Sequence, residues 1–335
     1  MELRNSENTS LLLDITDLIE SSKSQLVSNI NSSLTILFWQ IGKKILFETL
    51  ENKRAKYGKE TISKLSTSLC LKFGKSYEEK NLRRMVQFAE KFPELEKVVT
   101  LSRHLSWSHF LVLIPIKEKQ EREFYSNLSM NNNLGVRGLR TEISRKTFER
   151  TENANSQIIS KNKLSKGIFK DPYLLEFLDL KKGFLENDLE EAILKQIENF
   201  ILELGNGFTF VERQKRMIID GDDYYLDLLF YHRKLKRLVA IELKIDKFKA
   251  KYKGQMELYL KWLNRYEKQE GENEPIGLIL CAETSKEQIE LLEMDRDGIM
   301  VAEYWTILPP KELLEAKLHE ALIEAKEIIE RRKLL

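Results

Sequence analysis

The chain has 335 residues, of which 42% are hydrophobic and 32% charged, and its formal net charge is +2. This length accommodates two domains, and the composition is typical of a globular protein with a hydrated surface. No apolar run approaches the roughly 18 residues that a membrane helix requires, and the first residues lack the pattern of a signal peptide. The two cysteines and four histidines match no metal or redox spacing. We therefore expect a cytoplasmic protein that does not enter a membrane.

Apolar residues recur at helical spacing through the first half of the chain, which predicts an all-α domain over residues 1–150. Two of its helices are expected at 61–73 and 77–92, because Gly74 is a suitable end for the first and Ser76 a suitable N-cap for the second. Two helices joined by a short turn are typical of a helix-turn-helix. The expected fold of this domain is therefore helix-turn-helix or winged-helix-like.

The same region is basic although the whole chain is nearly neutral. Between Lys53 and Lys91, eleven Lys and Arg residues stand against four Glu residues. An excess of this kind is typical of a surface that follows a phosphate backbone. On the second helix of the pair, the candidate DNA-binding residues are Lys80, Arg83 and Arg84. An ordinary antiparallel helix pair with a solvated, charged surface explains the same pattern and stays open as an alternative.

Residues 151–167 are polar and lack apolar periodicity, which predicts a linker before a second domain over 168–335. In that domain the order of elements predicts an α/β fold with a mixed central sheet and helices on its faces. The predicted elements are a helix over 189–204, strands over 208–213, 216–219, 225–231 and 238–245, a helix over 252–266, a strand over 276–281, a helix over 286–294, a strand over 299–305 and a long charged helix over 311–332.

Two charges interrupt the apolar strand predicted at 238–245. Because a strand alternates its side chains, Glu242 and Lys244 share one face while the apolar residues occupy the other. If the preceding hairpin is symmetric about Lys234 and Leu235, Asp227 lies directly opposite Glu242. Two carboxylates and an ammonium then converge, as in a metal-dependent phosphodiesterase site. A structural hairpin salt bridge is the alternative interpretation.

Context distinguishes this Glu-x-Lys from others, since the same tripeptide occurs at four further places in helical, exposed-looking segments. The following helix carries Gln255 and Tyr259, which are four residues apart and so lie on one face. Taken alone, that pair has an ordinary helix surface pair as its alternative interpretation.

Asp227, Ile241-Glu242-Leu243-Lys244 and the Gln255-to-Tyr259 pair resemble the PD-(D/E)XK nuclease motif with the Gln-xxx-Tyr extension of its RecB-like branch. The stretch 208–281, together with helical segments at 57–93 and 105–109, is similar to the YhcG-type family of bacterial PD-(D/E)XK proteins. One departure is Leu226, which stands where the motif has proline.

This resemblance implies a role for each matching residue. Asp227, Glu242 and the backbone carbonyl of Leu243 would bind Mg²⁺ or Mn²⁺, and Lys244 would position or deprotonate a water and offset charge on the phosphate. Gln255 and Tyr259 would steady the site. A glutamate of the first helix would complete the metal shell. Glu190 is the first choice for it, with Glu191 and Glu198 as rivals.

The expected function is that of a metal-dependent DNA endonuclease acting in repair, recombination, mobile-element or defence processes, without a small-molecule cofactor. A homodimer is left open. Two other interpretations are a catalytically silent protein that binds DNA or a partner on a nuclease fold, and a nuclease directed at RNA. The intact set of Asp227, Glu242 and Lys244 favours the enzyme.

Overall fold

The computed structural model describes residues 16, 29–48, 55–158, 164–310, 312–320 and 323. The chain divides into two compact units, Met1–Arg145 and Lys146–Leu335. Among the described residues, no helix is both long enough and apolar enough to cross a membrane.

The regular elements among the described residues of the first unit are all helices. Its helices are α1 (29–48), α2 (Ala55–Phe73), α3 (Glu79–Lys91), α4 (Leu95–Ser102), α5 (Trp107–Leu113), α6 (Lys119–Asn131) and α7 (Val136–Ser144). The all-α prediction is therefore confirmed for 29–48 and 55–145. Those residues contain no strand, so a winged-helix assignment finds no wing in them.

Helices α2 and α3 are joined by the short turn that the sequence predicts. The turn is a 3₁₀ helix, Lys75–Tyr77, and the N-cap of α3 is Glu78 rather than the predicted Ser76. Ser76 cannot cap α3 because it lies within the 3₁₀ helix. The inner side of α3 buries Leu82 and Met85 against α1 and α2. At the crossing with α1, a Cβ on Gly42 would lie 1.9 Å from the Met85 carbonyl oxygen, so only glycine fits there.

The second unit contains one six-stranded mixed sheet with helices on both faces. Its strands are β1 (Tyr173–Leu174), β2 (Phe208–Ile219), β3 (Asp222–His232), β4 (Arg237–Lys247), β5 (Ile276–Glu283) and β6 (Ile299–Trp305). Its helices are α8 (Thr147–Asn155), α9 (Glu186–Lys195), α10 (Ile197–Leu204), α11 (Lys251–Tyr266), α12 (Lys286–Leu291) and α13 (312–320).

The sheet order is β1-β6-β5-β4-β3-β2. Strands β2, β3 and β4 are antiparallel neighbours, whereas β4, β5, β6 and β1 pair in parallel. The predicted mixed sheet is therefore confirmed. The two faces of β4 separate as its alternation predicts: Val239, Ile241 and Leu243 pack with α9 and α10, and Ala240 packs with α11.

Residues 151–167 differ from the expected linker. Residues up to Asn155 belong to α8, whose Arg150 is fully buried and ion-paired with Glu203 of α10. Asn153 donates to the backbone carbonyl and to Oδ2 of Asp171, at 2.9 and 3.0 Å. A polar sequence can thus pack closely where buried ion pairs and hydrogen bonds replace apolar contacts. Residues 159–163 lie outside the described part of the chain.

Several elements of the second unit also differ from the sequence predictions. The strands expected at 208–213 and 216–219 form the single strand β2, and the helix expected at 189–204 is divided at Gln196 into α9 and α10. The two-residue strand β1 was not expected. Of the long helix predicted over 311–332, residues 312–320 and 323 are helical, and the others lie outside the described residues.

Candidate active site

The site begins where β3 and β4 separate. Their ladder runs from His232 opposite Arg237 to Leu228 opposite Ile241, which is the register predicted from the symmetric hairpin. One step further, where Asp227 would pair with Glu242, the ladder ends. Instead Asp227 Oδ2 accepts a hydrogen bond from the Leu243 N–H at 2.8 Å. We call this end of the ladder, where the Asp227 carboxylate takes the place of a backbone partner, the notch. Because a residue's N–H and C=O point to the same neighbouring strand, the Leu243 carbonyl faces this notch too.

Glu242 and Lys244 lie on the face of β4 that packs against α11. Glu242 Oε1 accepts from Lys244 Nζ at 2.9 Å and from Gln255 Nε2 at 3.0 Å. Gln255 also donates to the Tyr259 hydroxyl at 2.7 Å, and that hydroxyl donates to the backbone carbonyl of Tyr225 at 3.1 Å. The structure thus joins the Glu-x-Lys pair to the Gln-xxx-Tyr pair in one hydrogen-bond chain.

The second carboxylate oxygen of Glu242 has a different environment. Oε2 is buried and has no hydrogen-bond partner in the structure. Burial, followed by the nearby Asp227 carboxylate, raises the pKa of Glu242 to about 7. Burial also raises the pKa of Asp227, against the opposing hydrogen bond from Leu243. Two carboxylates that are shielded from water and disfavour each other's charge are typical of a site that a cation neutralises.

Lys244 is buried beside acidic groups. Burial by itself lowers the pKa of this ammonium, but contact with Glu242 and the charges of Glu186 and Asp227 outweigh burial and raise it overall. Its Nζ lies 3.8 Å from Glu186 Oε2 and 5.4 Å from the ring centroid of Tyr252. Lys244 therefore carries a fixed positive charge next to the notch.

Glu190 is the first-helix glutamate that the structure places at the site. It is buried on α9, whereas Glu191 pairs with Lys195 on the exposed side of α9 and Glu198 is exposed on α10. Burial raises the pKa of Glu190. Its Oε2 lies 2.6 Å from Gln214 Nε2, the donor that also reaches Asp227 Oδ1 at 3.2 Å.

Gln214 lies at the candidate site although no sequence motif indicates it. It lies on β2 with a φ of 47°, in the left-handed region, and its amide stands between Glu190 and Asp227. The only sequence signal is the polar break between the strands predicted at 208–213 and 216–219.

The oxygen ligands at the notch are of the kind that bind a divalent cation. The available ligands are carboxylate and carbonyl oxygens, which Mg²⁺ and Mn²⁺ prefer, and Glu242 Oε2 is a buried oxygen without a donor. Within the described residues, no three His, Cys, Asp or Glu side chains are grouped closely enough to hold an ion. The Gln214 amide lies between the carboxylates of Glu190 and Asp227. Asp227 and Glu242 are the acidic pair whose charges such a cation would offset.

The candidate DNA-binding residues of the first unit lie on α3. Lys80 is exposed, and Arg83 contacts Glu79 on the same helix, with Nε 3.0 Å from Oε1. Arg84 donates to Asn81 Oδ1 at 3.4 Å. All three face away from the buried side of α3 that Leu82 and Met85 form.

His109 has a structural role. It lies at the start of α5, where its Nδ1 accepts from the Ser106 N–H at 3.1 Å, and its Nε2 lies 3.0 Å from the Leu134 carbonyl oxygen.

Two family models divide the chain between them. The YhcG PDDEXK nuclease domain matches residues 166–320, and the DUF1016 N-terminal domain matches residues 14–150. "Putative nuclease YhcG" of Escherichia coli (strain K12) is 31% identical over 355 aligned residues, which cover 94% of this chain and 94% of that protein. The chain belongs to the YhcG family. The family resemblance predicted from its motifs is thereby confirmed, and its second unit is a nuclease domain of the PD-(D/E)XK type.

Similarity to solved structures is much weaker. A repair endonuclease from Pyrococcus abyssi is 22% identical, with a TM-score of 0.27 over 39% of this chain and 50% of that chain. An EndoMS–dsDNA complex is 20% identical, with a TM-score of 0.27 over 39% of this chain and 49% of that one. The chain thus spans about half the length of each of these proteins, and a likeness this weak indicates no activity, substrate or partner.

Proposed function

We propose that this YhcG-family protein is an endonuclease that hydrolyses phosphodiester bonds of DNA with the help of Mg²⁺ or Mn²⁺. The observation that carries the proposal is Glu242 Oε2, a buried carboxylate oxygen without a donor, next to Asp227 at the notch. Leaving such an oxygen unpaired costs about 1–3 kcal/mol or more, which a structural salt bridge would not require. A cation that binds there would remove this cost.

Asp227, Glu242 and the Leu243 carbonyl would hold the cation. Glu190, which contacts the same Gln214 amide as Asp227, would be a further ligand. Such a cation supplies positive charge to the phosphate and lowers the pKa of water. Lys244 fixes Glu242 through Oε1 and adds a second positive charge for the phosphate. Gln255 and Tyr259 hold Glu242 in place from α11.

The helical first unit would supply DNA affinity through Lys80, Arg83 and Arg84. Support for this role comes from the basic outer side of α3 and from its arrangement after α2 and a short turn. The same proposal includes a cytoplasmic location and a role in repair, recombination, mobile-element or defence processes.

The test compares two lysines of the same strand. Lys244→Ala removes the ammonium at the notch, and Lys247→Ala removes an exposed one that pairs with Glu283 at 2.6 Å. Both proteins are incubated with supercoiled, linear, branched and single-stranded DNA and with RNA, with Mg²⁺, with Mn²⁺ and with a chelator. Removal of one preorganised charge from an active site costs about 100- to 1,000-fold in rate.

We expect Lys244→Ala to lose cleavage by at least about 100-fold while Lys247→Ala cuts at the parental rate. If Lys244→Ala cuts at the parental rate, the proposed active site is wrong. Cleavage of RNA in preference to every DNA would instead refute the DNA part of the proposal.

A further inference from the structure

The hairpin of β2 and β3 extends beyond the notch as a two-stranded ribbon. Strand β3 pairs with β4 only between Leu228 and His232, but it pairs with β2 as far as Asp222, opposite Ile219. The ribbon, defined as residues 215–219 and 222–226, therefore has no third strand among the described residues.

The two faces of the ribbon differ in burial. Met217, Tyr224 and Leu226 pack in the apolar cluster that includes α11. The alternate residues form the outer face of the ribbon and are exposed: Arg216, Ile218, Asp223 and Tyr225. Ile218 and Tyr225 are 56% and 47% exposed, so the outer face offers a large apolar and a large aromatic side chain to a ligand.

The outer face is electrically balanced. Arg216 forms two hydrogen bonds with Asp223, at 2.9 Å from Nε and 3.1 Å from Nη2, so its charge is offset. Tyr225 is the direct cross-strand partner of Arg216, so the two side chains are neighbours on the outer face. A balanced surface of this kind suits stacked bases better than phosphates, because base stacking on aromatic and guanidinium planes needs no net charge.

The outer face also lies close to the carboxylates of the proposed active site. Tyr225 precedes Asp227 by two residues on β3, or roughly 7 Å along the strand. The backbone carbonyl of Tyr225 accepts from Tyr259, which belongs to the hydrogen-bond chain that ends at Glu242. The position of Tyr225 is thereby tied to that of the carboxylate site.

Resting on the nuclease function proposed above, we propose that the outer face of the ribbon binds unpaired bases of a DNA strand next to the phosphodiester to be cut, with Tyr225 as the stacking platform. In a duplex the base faces are already stacked on one another. The preferred substrate is therefore DNA with a single-stranded segment at the cleavage site.

The test measures binding without cleavage. Affinity for a fluorescein-labelled oligothymidylate of about 16 nucleotides, the upper site size of a single-strand-binding fold, is measured by anisotropy with the full chain in a chelator. Tyr225→Ala and Tyr225→Leu remove the ring, Tyr225→Phe keeps it, and Tyr266→Ala removes a control tyrosine that is 62% exposed at the end of α11. Thermal unfolding verifies that each variant is folded.

We expect Tyr225→Ala and Tyr225→Leu to bind about 5- to 150-fold more weakly, and Tyr225→Phe and Tyr266→Ala to bind as the parent does. The loss should be equal at low and physiological salt, because stacking releases no counterions. Parental affinity in both ring-deleted variants overturns the inference, as does a loss that affects duplex DNA more than the oligothymidylate.

This assay contains no metal and is independent of the cleavage test. If the parent cuts DNA while the Tyr225 variants bind normally, only the stacking platform is refuted. If the Tyr225 variants lose affinity in a chain that does not cut DNA, only the nuclease proposal is refuted.

Discussion

Glu242 uses its two oxygens differently, and this difference sets it apart from the other glutamates of Glu-x-Lys tripeptides. Oε1 accepts from Lys244 and Gln255, whereas Oε2 is buried without a donor. The tripeptide at Glu78 and Lys80 lies on the exposed side of the α3 segment. Burial in an apolar strand, and not the tripeptide itself, therefore marks the site. That burial was predictable because residues 238–241 are apolar at every position, which is typical of a strand covered on both faces.

Gln214 shows where prediction from the sequence ends. Its amide reaches both Glu190 and Asp227 only because its backbone adopts a left-handed conformation in the middle of β2. A single glutamine in a polar stretch carries no signal of such a conformation, which is uncommon for residues other than glycine. The choice of Glu190 over Glu191 and Glu198 likewise depends on which side of α9 and α10 is buried.

The raised pKa of Asp171 predicts how the stability of the second unit depends on pH. It is buried, accepts from the Glu303 N–H at 3.0 Å, and burial raises its pKa to about 7. Because the folded-state pKa exceeds the unfolded value, the folded state holds this proton more tightly between about pH 4 and pH 7. The stabilisation is complete below the unfolded pKa and is lost as the pH rises through the folded one. We expect the free energy of unfolding to fall over this interval.

Asp171→Asn should remove that part of the pH dependence, because asparagine keeps a polar side chain without a titrating group. Urea unfolding between pH 4 and pH 7 measures the slope for the parent, for Asp171→Asn and for the exposed control Asp222→Asn. Equal slopes in the parent and Asp171→Asn would contradict the assignment.

At the scale of elements, the β3–β4 hairpin was the most predictable part of the structure. Its alternation and short polar loop determine the register, and the observed pairs from Leu228 to His232 have that register. The continuity of β2 was less predictable. Polar residues near Gln214 resemble a loop, yet β2 continues through them because β3 pairs with the residues on either side, Arg213 with Leu228 and Lys215 with Leu226. The division at Gln196 depends on how α9 and α10 pack on the sheet, which local sequence does not determine.

Helix α8 should be essential to the second unit although its sequence is polar. Arg150 and Lys170 both contact the buried Glu203, and Glu203 Oε1 also accepts from the Leu174 N–H at 3.0 Å. Arg150→Met removes one partner of a buried pair, which costs about 3–5 kcal/mol. Urea unfolding measures this loss of stability.

Two further variants serve as controls for the Arg150→Met measurement. The double variant Arg150→Met/Glu203→Leu leaves no uncompensated carboxylate and should recover part of the lost stability. Lys195→Met breaks an exposed pair on α9 and should change stability little. If Arg150→Met unfolds at the same urea concentration as Lys195→Met, the buried pair does not hold α8 in place.

For the whole molecule, the change from helical to strand periodicity predicts two domains. The predicted limits are 1–150, 151–167 and 168–335, and the family models match 14–150 and 166–320. In the structure the division falls after Arg145, because α8 packs with the second unit. That packing depends on a buried ion pair 53 residues apart in sequence, which no local pattern reveals.

The central claim is that the carboxylates at the notch make this protein a metal-dependent DNA nuclease. The most direct measurement is the rate of supercoiled plasmid cleavage by Asp227→Asn, set against Asp223→Asn, which alters an exposed carboxylate on the same strand. Asparagine retains an oxygen to accept from the Leu243 N–H, so the strand geometry is preserved. We predict that the parent and Asp223→Asn cut the plasmid in Mg²⁺ but not in a chelator, and that Asp227→Asn is at least about 100-fold slower. Cleavage by Asp227→Asn at the parental rate, or equal cleavage by the parent with and without metal, would contradict the claim.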